Sequence, residues 1–117
     1  MILREAIIGG TYYPEWIEGE AEKKETDRVA FVYKAITNRE RIALLEKSNQ
    51  LQPNSVDVMK LAVTEIRNIF GANGEKLDTV DKLLDYKDAG HVIDYIILIA
   101  GRTIWQRQNG TEEQIKN

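Results

Sequence analysis

The chain has 117 residues, no cysteine, 16 basic and 19 acidic side chains and a net charge of −3. That length suits one domain, and 43% hydrophobic with 30% charged residues is the balance of a soluble globular chain, neither disordered nor membrane-embedded. Interleaved charges of nearly equal number leave no large single-sign field for nucleic acid or an anionic bilayer, and the missing cysteines remove disulfides, thiolate metal sites and cysteine nucleophiles, which fits a reducing cytoplasm.

Residues 1–36 read as a β-rich N-terminal part. Arg4 and Glu5 interrupt "MILREAIIGG", so no secretory signal is expected there. Ile2-Leu3 and Ala6-Ile7-Ile8 have the composition of a short strand, punctuated by Gly9-Gly10. The aromatic cluster Tyr12, Tyr13 and Trp16, around Pro14, follows. It either covers one end of the core or presents an adhesive surface, since tyrosine and tryptophan serve both roles. Ile17 to Arg28 is charged and lacks apolar periodicity, which predicts an exposed loop or hairpin connection. Val29 to Ile36 is dense in β-branched and aromatic residues and predicts a strand that pairs with the N-terminal segment in a small antiparallel sheet.

Residues 37–108 read as a helical part of about four helices, giving an α+β fold, mostly α-helical. Thr37-Asn38-Arg39-Glu40 has the form of a capping box, with Ile42, Leu44 and Leu45 as the apolar side of the helix it opens. Ser48-Asn49-Gln50 with Pro53 ends that helix. Asn54 or Ser55 caps a second, with an amphipathic stripe at Met59, Ala62 or Val63, Ile66, and Ile69 or Phe70.

The stretch "FGANGEKLDT" then poses a choice between a phosphate-cradling loop and a plain connection. A P-loop needs GxxxxGK and Ser or Thr after a strand. Here only two residues separate Gly71 from Gly74, Glu75 precedes Lys76, and a helix is expected upstream. Gly71 therefore reads as a left-handed helix end and Asn73-Gly74 as a tight turn. A GxxG nucleic-acid clamp is geometrically conceivable but has one lysine against one glutamate. Asp78 or Thr79 caps a short third helix with Val80, Leu83, Leu84 and Tyr86 turned inward.

A fourth helix is predicted from near Asp88 to Trp105, with apolar residues at 92, 93, 96, 97, 99, 100 and 104 and with Leu98 and Trp105 outside the main stripe. It is either the central core helix or an interface helix. Its apolar run from Tyr95 to Ala100 is far short of the roughly 20 residues that span a bilayer. Residues 109–117 form a polar tail expected to be mobile.

Little in the chain points to catalysis. His91 is the sole histidine, so no site with two imidazoles can be built within one copy. Asp78, Asp81, Asp85 and Asp88 have helical spacing but lack the alternation and glycine of a calcium loop, and two of them stand where helix starts favour aspartate. Ser48 and Ser55 lie in no nucleophile elbow. Glu15, Glu18 and Glu20 fall in the charged loop, where solvated carboxylates are expected. The reading is of a non-enzyme with no cofactor and no metal.

Three features together carry a family resemblance: Thr37-Asn38-Arg39-Glu40 leading into the first helix, Asn73-Gly74-Glu75-Lys76-Leu77 with Thr79 and Leu83-Leu84, and the charged end Glu112-Glu113 with Lys116-Asn117. In this order the chain resembles the small tail assembly chaperones of tailed bacteriophages and prophages, with Asn38 where glycine is frequent in that family. The resemblance implies a cytoplasmic protein of the bacterial host that binds the tape-measure protein, or tail tube subunits, through apolar helical surface. The residues expected to bind are Val92, Ile96, Ile99 and Trp105, with Tyr12, Tyr13 and Trp16 as a second patch; the alternative is that all seven belong to the core. Two other readings stay open. One is a virion component, such as a head-tail connector or tail subunit assembled as a homo-oligomeric ring. The other is a small inhibitor of a host defence protein, using Glu18, Glu20, Glu22 and Glu25 as phosphate mimics.

Overall fold

The computed structural model describes residues 1–2, 9–49, 51–87 and 90–108. The expected strand at Ala6-Ile7-Ile8 lies outside them, as do Asp88 and the tail 109–117. Among the described residues the architecture is α+β: a three-stranded antiparallel sheet packed with four α-helices, with one short 3-10 turn at Glu25–Asp27.

The sheet runs in the order β1 (Gly10–Tyr12), β2 (Ala30–Tyr33), β3 (Val63–Arg67). The central strand is the one the β-branched and aromatic density predicts. It pairs antiparallel with the N-terminal part as expected, through β1, which starts at Gly10 inside the stretch read as punctuation; the departure is β3, which comes from the second half of the predicted second helix. Register aligns Tyr12, Phe31 and Ile66 across all three strands. These three are buried, and the Tyr12 and Phe31 rings stack with centroids 6.3 Å apart. A bulge between Val32 and Tyr33 lets the pairing skip Thr64, whose hydroxyl donates instead to the Val32 carbonyl at 3.3 Å.

Helix α1 (Asn38–Ser48) opens on the predicted capping box: Thr37 Oγ1 accepts from Glu40 N, and Glu40 Oε1 accepts from Thr37 N at 3.0 Å. It closes on Asn49 in the left-handed region, φ 52°. Leu44 is buried and Leu45 half-buried, but Ile42 is exposed, so the apolar side is narrower than the sequence implies. Helix α2 (Ser55–Ala62) is capped by the Asn54 side chain. It buries Val58, Met59 and Ala62 and then passes directly into β3 through Val63, with ψ 121°.

The loop after β3 settles the choice posed by "FGANGEKLDT". Phe70 pairs with Lys76, Leu77 N donates to Ile69 O, and Gly74 N donates to Gly71 O, which together make a hairpin turn. Gly74 has φ 82°, as a tight turn requires. Gly71 is not in the left-handed region, because a strand and no helix precedes it. The Tyr86 hydroxyl accepts from Ala72 N at 2.7 Å and ties the turn to α3 (Val80–Asp85), which Thr79 caps as expected.

Helix α4 (Val92–Gln108) packs chiefly on α2. Ile96, Ile97, Ala100, Gly101, Ile104, Trp105 and Gln108 are its buried residues. Arg107 joins its end to the sheet, lying 5.3 Å from the Tyr12 ring centroid and donating to Thr11 O at 3.2 Å. No helix among the described residues is long and apolar enough to cross a membrane.

The charged segment 17–28 makes more specific contacts than its composition implies. Glu20 is buried, accepts from Val29 N at 2.6 Å and pairs with Lys23. Arg28 donates to Lys23 O and Ala21 O, and Asn68, at φ 64°, donates to Thr26 O and Arg28 O. Burial pushes the Glu20 carboxyl up, yet hydrogen bonds from Lys23 and Val29 and the positive charges of Lys23 and Arg28 outweigh it, so the net shift is downward. The folded carboxyl thus holds its proton less tightly than the unfolded one. Its contribution is full above the ordinary glutamate range, about pH 4.3, and is lost as pH falls through the folded value. Glu20→Gln should cost about 1 kcal/mol or more at pH 7 and flatten the acid limb of the stability profile, measured by urea unfolding from pH 7 down to about pH 3.

Candidate functional site

The seven residues expected to bind a partner separate into three groups by exposure. Tyr12, Ile96 and Trp105 are core residues, at 7%, 7% and 5% exposure. Tyr12 accepts the Trp16 indole N–H at 2.9 Å, and Arg41 lies over the Trp105 ring at 5.7 Å. Trp105 falls outside the main helical stripe but is covered because α1 supplies Arg41 on that side. For these three the core alternative holds in the single copy. Tyr13 and Ile99 are half-buried, whereas Val92 is 64% and Trp16 47% exposed.

Sequence reasoning passed over Tyr95 and Leu98 as binding candidates. They are 62% and 46% exposed and lie on the outside of α4, between Val92 and Arg102. The signal was present: α4 has too many apolar positions for one buried face. Beside Leu98 and Arg102 a cleft of about 230 Å³ opens against the start of α2, with Gln52, Pro53 and Ser55 on its far wall. Trp16 belongs to the loop that follows β1 and is anchored through its indole N–H to the Tyr12 hydroxyl.

Several of the polar groups weighed for chemistry have partners within the fold. The Ser55 hydroxyl donates to Leu98 O and the Ser48 hydroxyl to Leu45 O. His91 Nδ1 lies 2.9 Å from Asp94 on an exposed turn. Lys82 donates to Asp78, whose carboxyl is held below the usual aspartate range chiefly by that hydrogen bond. Glu15 pairs with Arg28 at 3.2 Å. Among the described residues no three His, Asp or Glu side chains gather closely enough to hold a metal ion.

The geometry defines a class: a small α+β chain whose last helix builds the core with one face and leaves an apolar strip on the other. No protein-family model, curated protein or solved structure matches the chain.

Proposed function

We propose that the protein is a non-catalytic binding protein of the phage tail assembly chaperone kind, engaging an apolar helix of a tape-measure or tail tube protein through the outer face of α4. One observation carries this reading: Val92, Tyr95 and Leu98, at intervals of three residues, are all exposed on a helix whose opposite face is already committed to the core. An amphipathic client helix docks on such a surface by spaced apolar anchors. Ile99 adds a half-buried anchor, and the cleft beside Leu98 accepts a client side chain. Trp16 and Tyr13 provide a second contact region.

The test is co-expression with a phage tape-measure protein and a phage tail tube protein, followed by affinity capture. A soluble complex is expected with the unmodified chain and should be lost in Tyr95→Glu combined with Leu98→Glu. Capture of neither protein, or equal capture by the double variant, overturns the reading.

A further inference from the structure

The exposed face of α4 has a pattern that is complementary to itself. Val92, Tyr95, Ile99, Arg102 and Gln106 recur at alternating intervals of three and four residues, the spacing of a two-helix seam. Val92, Tyr95, Arg102 and Gln106 are exposed and Ile99 is half-buried. The N-terminal half of this seam is apolar and aromatic, with acidic Asp94 at its flank; the C-terminal half is cationic and polar. Among the described residues no acidic side chain pairs with Arg102.

We infer that a second copy of this chain covers the seam, with the two α4 helices antiparallel about a two-fold axis near Ile99. In that register Ile99 meets its own counterpart, and each Tyr95 lies against the Arg102 of the other copy. A guanidinium over a tyrosine face is a favourable contact. Each Asp94, whose Oδ2 also lies 2.9 Å from His91 Nδ1 of its own copy, comes alongside the same arginine with its other carboxylate oxygen available, so two ion pairs form from one surface, as an isologous interface demands. Tyr95 of one copy also reaches the level of the cleft bounded by Pro53, Leu98 and Arg102 on the other. A parallel pairing would instead set Arg102 on Arg102 and leave the tyrosines without a cationic partner. An unrelated occupant would have to bring an acidic and an aromatic group at matching positions, whereas a second copy carries both by construction.

The pairing uses the face assigned to the client helix, so self-association and client capture exclude one another. The dimer does not depend on that assignment, and its test involves no client.

Sedimentation velocity of the full chain over a concentration series tests it. A reversible dimer is expected for the unmodified chain. Arg102→Asp and Asp94→Arg should each weaken it at least tenfold, because each places like charges across the seam, and the two combined should restore it. Tyr95→Ser should also weaken it, and circular dichroism should show every variant folded. A chain that stays monomeric at about 1 mM, where even an affinity as weak as Kd 1 mM is visible, overturns the inference. So does a dimer that neither single charge reversal nor Tyr95→Ser disturbs, or a double reversal that stays as weak as the singles.

Discussion

Gly101→Ala should destabilise the protein by about 1–2 kcal/mol, although alanine is favoured over glycine by roughly 1 kcal/mol in a helix interior. The sign follows from where α4 crosses α2. A Cβ at position 101 would stand 2.7 Å from both the Ser55 Cβ and the Ser55 carbonyl oxygen. The oxygen belongs to the backbone and cannot swing aside, so the helices must separate. That separation would loosen α4 against α2, where Ile97, Ala100, Ile104, Val58, Met59 and Ala62 are buried, and would stretch the bond from the Ser55 hydroxyl to Leu98 O. Gly101→Leu should cost about 3 kcal/mol or more, since it adds volume where none is free. Ser55→Gly in the Gly101→Ala background should restore only part of the loss, because it removes the side-chain contact and leaves the carbonyl. Urea midpoints at constant m-value measure all three. A Gly101→Ala chain more stable than the parent would show that the crossing is wider than described.

Gln108→Leu should cost about 2–3 kcal/mol, an unusual penalty for removing a polar residue at the end of a helix. Gln108 is buried at 1% exposure, and its amide completes the backbone of another segment. Its Oε1 accepts from Ile36 N at 3.1 Å and its Nε2 donates to Lys34 O at 2.7 Å. The side chain acts as one rung of a strand where β2 has ended and α1 has not begun. Leucine matches it in size but leaves both backbone groups without their partner, and each such group costs about 1–3 kcal/mol where it is shielded from water. The loss should appear in urea unfolding and in faster amide exchange at Ile36. An alanine at Gln106, exposed two residues earlier, should change stability by no more than about 0.5 kcal/mol.

These two residues also mark what the sequence could and could not convey. Caps and turns were legible because they are local: Thr37 with Glu40, Asn54, Thr79 and Asn73-Gly74 each act within a few residues of themselves. The central strand was legible from Phe31, Val32 and Tyr33. Strand β3 was not, because Ile66 lies at helical spacing from Met59 and Ala62 and also at the position that pairs with Phe31. Val63, Thr64 and Ile66 are β-branched and carried the competing signal. Glycine at 101 and glutamine at 108 look ordinary in sequence, and only the α2 crossing and the end of β2 give them a purpose. Glu20 looks in sequence like its solvated neighbours, since nothing local marks the carboxylate that turns inward. Of the residues expected to bind, Val92 and Trp16 are exposed, Tyr13 and Ile99 half-buried, and Tyr12, Ile96 and Trp105 lie in the core, while Tyr95 and Leu98 are exposed without a local signal that separates them from their buried neighbours. An amphipathic count shows that α4 has surplus apolar residues; which of them remain outside depends on how α2 and Arg41 cover the helix.

Helix α4 divides into a face that holds the fold and an exposed apolar face, the one proposed to receive a partner. The most direct measurement is urea unfolding, at a dilution where single copies dominate, of Tyr95→Glu with Leu98→Glu beside Ile96→Glu. The surface pair should stay within about 1 kcal/mol of the parent, while the glutamate at Ile96 should cost several kcal/mol or abolish folding. A surface pair that loses as much stability as the Ile96 variant would mean that Tyr95 and Leu98 are structural residues, and the partner-binding face of α4 would not exist.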